Sequence, residues 1–491
     1  MVDPPTFSAE DAEAEVQRIE RTAKRVVWDG PAGTSFTIDV PPTVYPPRQD
    51  TFLLADALRR LGLSQGSSCL EIGCGSGAVS YYAASLGLRV TSCDTNPYAV
   101  ACTSHHAQFM GYNLRVNEGG PGPQCDGLDA QWGGDQHYDV VMWNLPYLPP
   151  VVEGEATLGP FEESALLDND SIGLYVRLLK RIESGGLLKP KGVGLFVVSD
   201  LRDGQQALEQ AWHHNLAARE MCSHEFENGE LLRVVAIWRP FENVEQFHFE
   251  TVDSTNEQLL GLETALGSRL TASVQSEGRG RKNRSWDSQP GALAASWVVD
   301  DGGGITHSPI HQLWVGWALT RFFSHASMPN LWRLKWPNDV YLRSSSNTDW
   351  KKCGGILFEG KHQGVSRRVV LGIGMNLAAI EHNQYGSIQE VCPSLELENV
   401  CGGLHAIIAS LFEIKTTPHV PNFDLPIEHL NDAISEGVAS LGPLLYRELG
   451  CGFMSALNNG SISVQLHDGA TVNVDEPNDL FWSNIQDSIE D

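Results

Sequence analysis

The most specific chemistry in the chain sits on a short run of cations between glycines: Gln275-Ser276-Glu277-Gly278-Arg279-Gly280-Arg281-Lys282-Asn283-Arg284, closing at Trp286. Four positive side chains this close repel one another unless an anion lies among them. Arginine forks grip phosphate or carboxylate at two points. Taken alone, the run also suits a solvated loop or a nucleic-acid contact. In a chain with 61 acidic and 34 basic residues, a small phosphorylated ligand fits better. Three other segments carry side chains for the same task. Leu334-Lys335-Trp336-Pro337-Asn338-Asp339 delivers a lysine and then a polar turn, and Lys352-Cys353-Gly354-Gly355 a second lysine before glycines. Val370-Leu371-Gly372-Ile373-Gly374-Met375-Asn376 is an apolar strand ending in an amide, which is equally well a chance buried asparagine. Asp253-Ser254-Thr255-Asn256 opens a helical stretch, and such residues also cap helices for their own sake.

A different chemistry is written earlier in the chain. Leu70-Glu71-Ile72-Gly73-Cys74-Gly75-Ser76-Gly77 reads as a strand, a glycine turn and a helix start, and Asp94 closes the next strand. Glycines let the backbone turn sharply against a ligand, the helix start offers N–H groups, and a carboxylate at Asp94 suits ribose hydroxyls. Gly73, Gly75 and Ala78 also satisfy the dinucleotide pattern, which leaves a nicotinamide enzyme open. Asn144-Leu145-Pro146-Tyr147 decides between them. An amide nitrogen is a poor nucleophile because its lone pair is delocalised. To methylate it, a site must hold both N–H hydrogens, and an Asn side-chain oxygen with a backbone carbonyl can accept them while a Tyr ring covers the flat group.

On these residues the first half resembles the class I S-adenosylmethionine-dependent methyltransferases that modify nitrogen, over roughly residues 35–240. Within them it is most similar to the family that methylates the glutamine of the Gly-Gly-Gln loop of release factors, to which Tyr45-Pro46-Pro47-Arg48-Gln49-Asp50-Thr51-Phe52 is also similar. The resemblance implies that Glu71, Gly73, Gly75, Gly77, Asp94, Asp126 and Asn144 lie around S-adenosylmethionine, with Asp126 near the adenine. Asn144, Pro146 and Tyr147 would hold the substrate amide, and a release factor would be the methyl acceptor. The family has Pro where this chain has Leu145; the backbone carbonyl survives, and Pro146 still restricts Leu145.

The second half resembles the biotin–protein ligases over about residues 247–380, with the lipoate ligases as a related alternative. That resemblance implies biotinyl-adenylate formation from biotin and ATP with Mg2+, then transfer to a lysine of a biotin carboxyl carrier domain of a carboxylase. Lys352 and Lys335 would serve the reacting carboxylate and phosphate, and Gly278, Arg279, Gly280 and Arg281 a covering loop. Ser254, Thr255, Asn256 and Gln275 would hold the biotin end, and Trp286 the adenine. Asn338, Asp339, Gly355 and Asn376 would face the triphosphate, with no metal site fixed by protein groups alone.

These residues need elements to position them. Strand–helix alternation over residues 68–239 predicts a doubly wound, Rossmann-like α/β domain (1–240). Strands are expected at 68–72, 89–93, 138–143, 193–198 and 231–238, and helices at 49–63, 78–86, 99–110, 170–184 and 204–215, with another at 8–25. After Pro240 the pattern changes to glycine-rich loops between strands, predicting an α+β ligase catalytic domain (241–440). A small SH3-like β tail (441–491) follows, whose hairpin at 460–474 reads clearly and whose preceding strands read as shortened. The shortened tail and Leu145 leave open that one half binds without turnover.

At 491 residues several domains are expected. A formal charge of −27 argues against nucleic acid and anionic lipid as bulk partners. No run approaches membrane-helix length, and the acidic start of the sequence does not read as a signal or transit peptide. Ten scattered cysteines without metal-ligand spacing suit a reducing compartment, the cytoplasm.

Overall fold

The computed structural model describes residues 22–122, 132–133, 136–147, 167–168, 170–202, 204–281, 284–286, 291–301, 309–326, 330–346, 348–363, 366–378, 385–483 and 485. Its contacts divide the chain into two compact units, Met1–Arg239 with Ile414–Pro421, and Pro240–Glu413 with Asn422–Asp491.

In the first unit, strands β1 (Lys24–Asp29) and β2 (Ser35–Val40) form an antiparallel pair, and helix α1 (Gln49–Arg60) follows. A seven-stranded sheet is built from β3 (Ser68–Ile72), β4 (Arg89–Asp94), β5 (Arg115–Glu118), β6 (Tyr138–Asn144), β7 (Leu188–Ser199), β8 (Ala217–Glu225) and β9 (Leu231–Trp238). Its order is β5-β4-β3-β6-β7-β9-β8. The first five run parallel, and β9 and β8 add antiparallel ladders. Helices α2 (Ala78–Ser85), α3 (Pro97–Phe109), α4 (Leu174–Glu183) and α5 (Ala207–His213) lie between strands. The central parallel strands are largely buried, as strands covered on both faces are: every residue of β3 is buried. Leu70, Ile72, Trp143, Leu178 and Phe196 belong to one continuous core. The chain moves outward from β3 through β4 to β5 and then returns to the other side of β3 as β6. At such a reversal a crevice opens beyond the carboxyl ends of the strands.

Four strands escape the sequence reading, among them β2 (Ser35–Val40), which pairs with β1. Strand β5 is a short edge with the polar sequence Arg-Val-Asn-Glu, and β8 mixes polar and apolar residues. Strand β1 also corrects an expectation, because Lys24 and Arg25 were placed at the end of a helix at 8–25. They are paired with Val40 and Asp39 instead, the ladder to β2 outweighing local helical spacing. Residues 1–21 of that expected helix lie outside the described residues.

The second unit holds another seven-stranded sheet, of β10 (Gln246–Val252), β11 (Arg269–Gln275), β12 (Ala292–Asp301), β13 (Trp332–Lys335), β14 (Asp339–Leu342), β15 (Lys351–Gln363) and β16 (Ser366–Asn376). The order is β10-β11-β12-β16-β15-β14-β13, parallel at β10/β11 and antiparallel elsewhere. Its helices are α6 (Thr255–Gly261), α7 (Ile310–Ala326), α8 (Leu397–Phe412) and α9 (Ile427–Leu441). A two-stranded hairpin, β17 (Lys415–Thr416) and β18 (His419–Val420), falls in the segment that belongs to the first unit. Beyond α9, strands β19 (Leu444–Tyr446), β20 (Leu449–Ala456), β21 (Ile462–Leu466), β22 (Thr471–Val474) and β23 (Leu480–Trp482) form an antiparallel sheet in the order β22-β21-β20-β19-β23.

The tail is therefore fuller than the sequence suggests. The expected hairpin is β21–β22, and the strand before it, β20, has eight residues rather than a trimmed remnant. Its glycines and polar residues (Leu-Gly-Cys-Gly-Phe-Met-Ser-Ala) hide the alternation by which strands are recognised. Among the described residues no helix is long and apolar enough to cross a membrane.

Two candidate active sites

In the first unit most of the expected residues lie at or just beyond the carboxyl ends of β3, β4 and β6. Gly73, Gly75 and Gly77 all have positive φ, at 66°, 51° and 84°, a backbone that favours glycine. A Cβ on Gly73 would also lie 2.9 Å from the Trp143 ring nitrogen. Asp94, at the end of β4, accepts the Gly75 N–H at 2.8 Å on one oxygen and the Asn96 N–H at 2.8 Å on the other. Burial raises its carboxyl above the usual carboxylate range, against those backbone donors. Glu71 lies lower, inside β3. Its side chain is hydrogen-bonded by Ser80, and burial pushes its carboxyl up to about 8. It thus braces the glycine turn from beneath through α2. Asp126 lies outside the described residues.

Asn144 ends β6, followed by buried Leu145 and Pro146 and half-buried Tyr147. The Asn144 amide nitrogen donates to the Asp50 carboxylate at 2.9 Å, while its side-chain oxygen is buried and has no hydrogen-bond partner among the described residues. Tyr147 shares a cavity of about 720 Å³ with Tyr45, Arg48 and Asp50. The Tyr147 hydroxyl is pushed up to about 12, by burial first and by Asp50 and Glu230 next. Asp50 and Tyr45 went unassigned in the sequence; the only signal for them was the similarity of residues 45–52 to the family's lead-in segment.

In the second unit, Ser254 caps α6, its hydroxyl accepting from the Glu257 N–H at 3.5 Å. Gln275 at the end of β11 accepts from the Thr255 N–H at 2.8 Å and the Thr255 hydroxyl at 3.0 Å. Ser296 donates to the Asn256 side-chain oxygen at 2.6 Å, and the Asn256 amide nitrogen donates to Glu359 at 2.7 Å. All three of Ser254, Thr255 and Asn256 are buried.

The arginine loop folds back on itself. The Trp286 N–H donates to the Gly278 carbonyl and the Gly280 N–H to the Arg284 carbonyl, each at 2.7 Å. A Cβ on Gly278 would come within 2.3 Å of the Trp286 carbonyl oxygen, so only glycine fits this turn. Arg279 pairs with Glu257 and, at 3.5 Å, with Glu359, two partners the sequence did not point to. Arg281 turns the other way: burial lowers its guanidinium, opposed by Asp339 and Glu476.

Asp339 is the centre of the cationic cluster. Lys352 Nζ lies 2.7 Å from one of its carboxylate oxygens and Lys335 Nζ 4.0 Å from the other. Burial alone would raise the Asp339 carboxyl, but Lys352, Lys335 and Arg281 together hold it below the usual carboxylate range. The Trp286 ring lies beside this cluster, with Lys352 Nζ 5.9 Å from its centre. It lies over Gly374 and Gly355, where a Cβ would meet it at 2.7 and 3.6 Å. Lys335 is buried, its ammonium 5.1 Å from the Trp482 ring centre. Asn338 donates to the Ile356 carbonyl at 2.9 Å and Asn376 to the Gly386 carbonyl at 3.2 Å, so both amide nitrogens are engaged by the protein. Lys352, Lys335, Arg281, Asp339, Gly355 and Trp286 therefore meet in one place. Among the described residues no group of three His, Cys, Asp or Glu side chains is placed to hold a metal ion.

Comparison with known proteins separates the same two regions. Residues 248–376 match the Biotin/lipoate A/B protein ligase family, and residues 70–132 match the methyltransferase domain family. Biotin--protein ligase 2 of Arabidopsis thaliana is 22% identical over 318 residues, covering 58% of this chain and 88% of that protein. The bifunctional ligase/repressor BirA of Escherichia coli is 34% identical over 134 residues, 26% of this chain and 39% of that protein. The release factor glutamine methyltransferase of Geobacter sulfurreducens is 30% identical over 146 residues, 28% of this chain and 48% of that protein. The chain thus spans less than half the length of the last two.

Proposed function

We propose that this chain, a fusion of a methyltransferase region with a biotin–protein ligase region, works as a two-site enzyme. The second unit adenylates biotin and passes it to a carrier domain, and the first methylates a protein glutamine amide with S-adenosylmethionine. In the ligase reaction a biotin carboxylate oxygen attacks the α-phosphorus of ATP and pyrophosphate leaves. A lysine amine of a biotin carboxyl carrier domain then attacks the acyl carbon and AMP leaves. The first step brings two anions together, so it needs positive charge already in place. The single observation that carries the reading is the meeting of Lys352, Lys335 and Arg281 around buried Asp339 beside Trp286. Asp339 balances these cations, and substrate carboxylate and phosphate would take over that role. Arg279, Gly278 and Gly280 supply the loop that covers the mixed anhydride from water. Ser254, Thr255, Asn256 and Gln275 lie at the biotin end, and Asn338, Gly355 and Asn376 on the nucleotide side. Mg2+ would arrive with the nucleotide and neutralise its phosphates, with Asp339 the acidic group nearest to the cluster. The sheet of β19–β23 serves as the small SH3-like tail. The nine described cysteines form no disulfide among themselves, which suits the cytoplasm.

In the first unit, Gly73, Gly75, Gly77 and Asp94 cradle S-adenosylmethionine, with Asp126 as the adenine contact. Asn144 Oδ1 and the Leu145 carbonyl accept the two amide hydrogens of the substrate glutamine, and Tyr147 covers it. A release factor is the acceptor that fits this chemistry.

The ligase half is tested with radiolabelled biotin, ATP and magnesium on the full chain, with a carrier domain as acceptor. The wild-type protein is expected to label the carrier, and Lys352→Ala to abolish both adenylate formation and labelling. Undiminished labelling by that variant would remove the mechanism.

A further inference from the structure

We infer that Asp50, a residue that need not touch the substrate, sets which end of the Asn144 amide faces it. This rests on the reading of the first unit as an amide-methylating site.

An asparagine side chain presents an oxygen on one side and a nitrogen on the other, and its surroundings choose between the two orientations. The chemistry needs the oxygen toward the substrate, since an amide nitrogen about to be methylated offers hydrogens. Turned the other way, Asn144 would meet donors with donors. Asp50 removes that choice. Its carboxylate Oδ2 accepts from the Asn144 Nδ2 at 2.9 Å and from the Tyr45 hydroxyl at 2.8 Å. A carboxylate has nothing to donate, so a flipped Asn144 would set oxygen against oxygen. Asp50 itself cannot swing away. It is 2% exposed in the first turn of α1, and its Oδ1 accepts from the Thr51 N–H at 2.6 Å and the Thr51 hydroxyl at 3.1 Å.

The consequence is visible at the other end of the Asn144 amide. Its Oδ1 is buried with no hydrogen-bond partner among the described residues, a state that costs free energy until a donor arrives. Asp50 lines the same cavity as Tyr147 and is hydrogen-bonded to Asn144, so the locked amide adjoins the cavity where Tyr147 would cover a flat group. Asp50 thus acts through Asn144 as a positioning residue.

The test uses the full chain with tritiated S-adenosylmethionine and a synthetic Gly-Gly-Gln peptide. Asp50→Asn keeps the size but can both donate and accept, so Asn144 is no longer held in one orientation. The expected result is a fall in kcat of ~10–100-fold, the scale at which misplaced groups act, with S-adenosylmethionine affinity unchanged by calorimetry. Asp50→Glu, which keeps the carboxylate, should recover part of the loss, although a merely structural role would suffer more from its greater bulk. Independently of turnover, NMR of protein labelled with 15N-asparagine reads the Asn144 side-chain amide, assigned by its disappearance in Asn144→Ala. Its protons should exchange slowly in the wild type and rapidly in Asp50→Asn. If the wild type leaves the peptide unmethylated, the amide-methylation reading fails while the NMR arm still reads the lock. An Asn144 signal unchanged by Asp50→Asn, or an unchanged kcat in an active enzyme, overturns the proposal.

Discussion

Buried charge is handled in opposite ways in the two units, and each way has a measurable signature. Asp339 keeps its charge because Lys352, Lys335 and Arg281 gather on it, whereas Glu71 has a serine hydroxyl and no cation, and burial raises its carboxyl to about 8. Unfolded, a glutamate titrates near pH ~4.3. Between those values the folded unit binds a proton that the unfolded chain has released, so stability falls as pH rises through this interval and levels off above it. Glu71→Gln cannot titrate and should lose that slope. Melting of the first unit at pH 5.5 and 8.5 checks this: the variant should gain on the wild type at the higher pH. A pH slope identical in both proteins would contradict the neutral, buried Glu71.

At the scale of elements, the candidate site groups sit where strands end and turns begin. Asp94 closes β4, Asn144 closes β6, and Lys352 and Asp339 lie on adjacent strands β15 and β14. The strand ends were largely legible, because the buried strands β3, β6 and β9 are mostly apolar, broken only by one or two polar residues each. Edge strand β5 and glycine-rich β20 were not, since neither shows an apolar run or a clean alternation. The arginine loop is an element of its own, closed by the bonds of Gly278 and Gly280 to Trp286 and Arg284. Gly278→Ala would place a methyl against the Trp286 carbonyl, which is backbone and cannot rotate away. The loop must then open. We expect this variant to bind biotin but to release more hydrolysed adenylate per carrier labelled, measured as the ratio of AMP to biotinylated carrier. An unchanged ratio would show that loop geometry does not govern water access.

Across the whole molecule, sequence order and structural unit diverge at one short segment. Residues Ile414–Pro421 follow α8 in the chain, yet they belong to the first unit. The His419 N–H donates to the Leu61 carbonyl at 2.7 Å, and Arg219 donates to the Pro421 carbonyl at 2.9 Å. The Lys415 ammonium lies 5.5 Å from the Trp238 ring centre, and Val420 is fully buried. Val420→Asp would bury a charge without a partner, at a cost of about 3–5 kcal/mol. Its effect should appear as a lower melting temperature of the first unit, although the substitution is far downstream of most of that unit in sequence. A normal melting curve would show that the segment is dispensable to that unit.

The local chemistry belonged to the sequence. Glycine turns, the arginine run and Asn144-Leu145-Pro146-Tyr147 each carry their function in residue type and spacing, because backbone freedom and donor geometry are properties of a few consecutive residues. The tertiary structure alone decided which distant groups meet. It set Asp50 against Asn144, gathered Lys335, Lys352 and Arg281 around Asp339, gave Arg279 to Glu257 and Glu359, and assigned the hairpin at 415–420 to the first unit. Such pairings follow from strand order and helix packing, across as many as 94 residues for Asp50 and Asn144, and no single local pattern encodes the set.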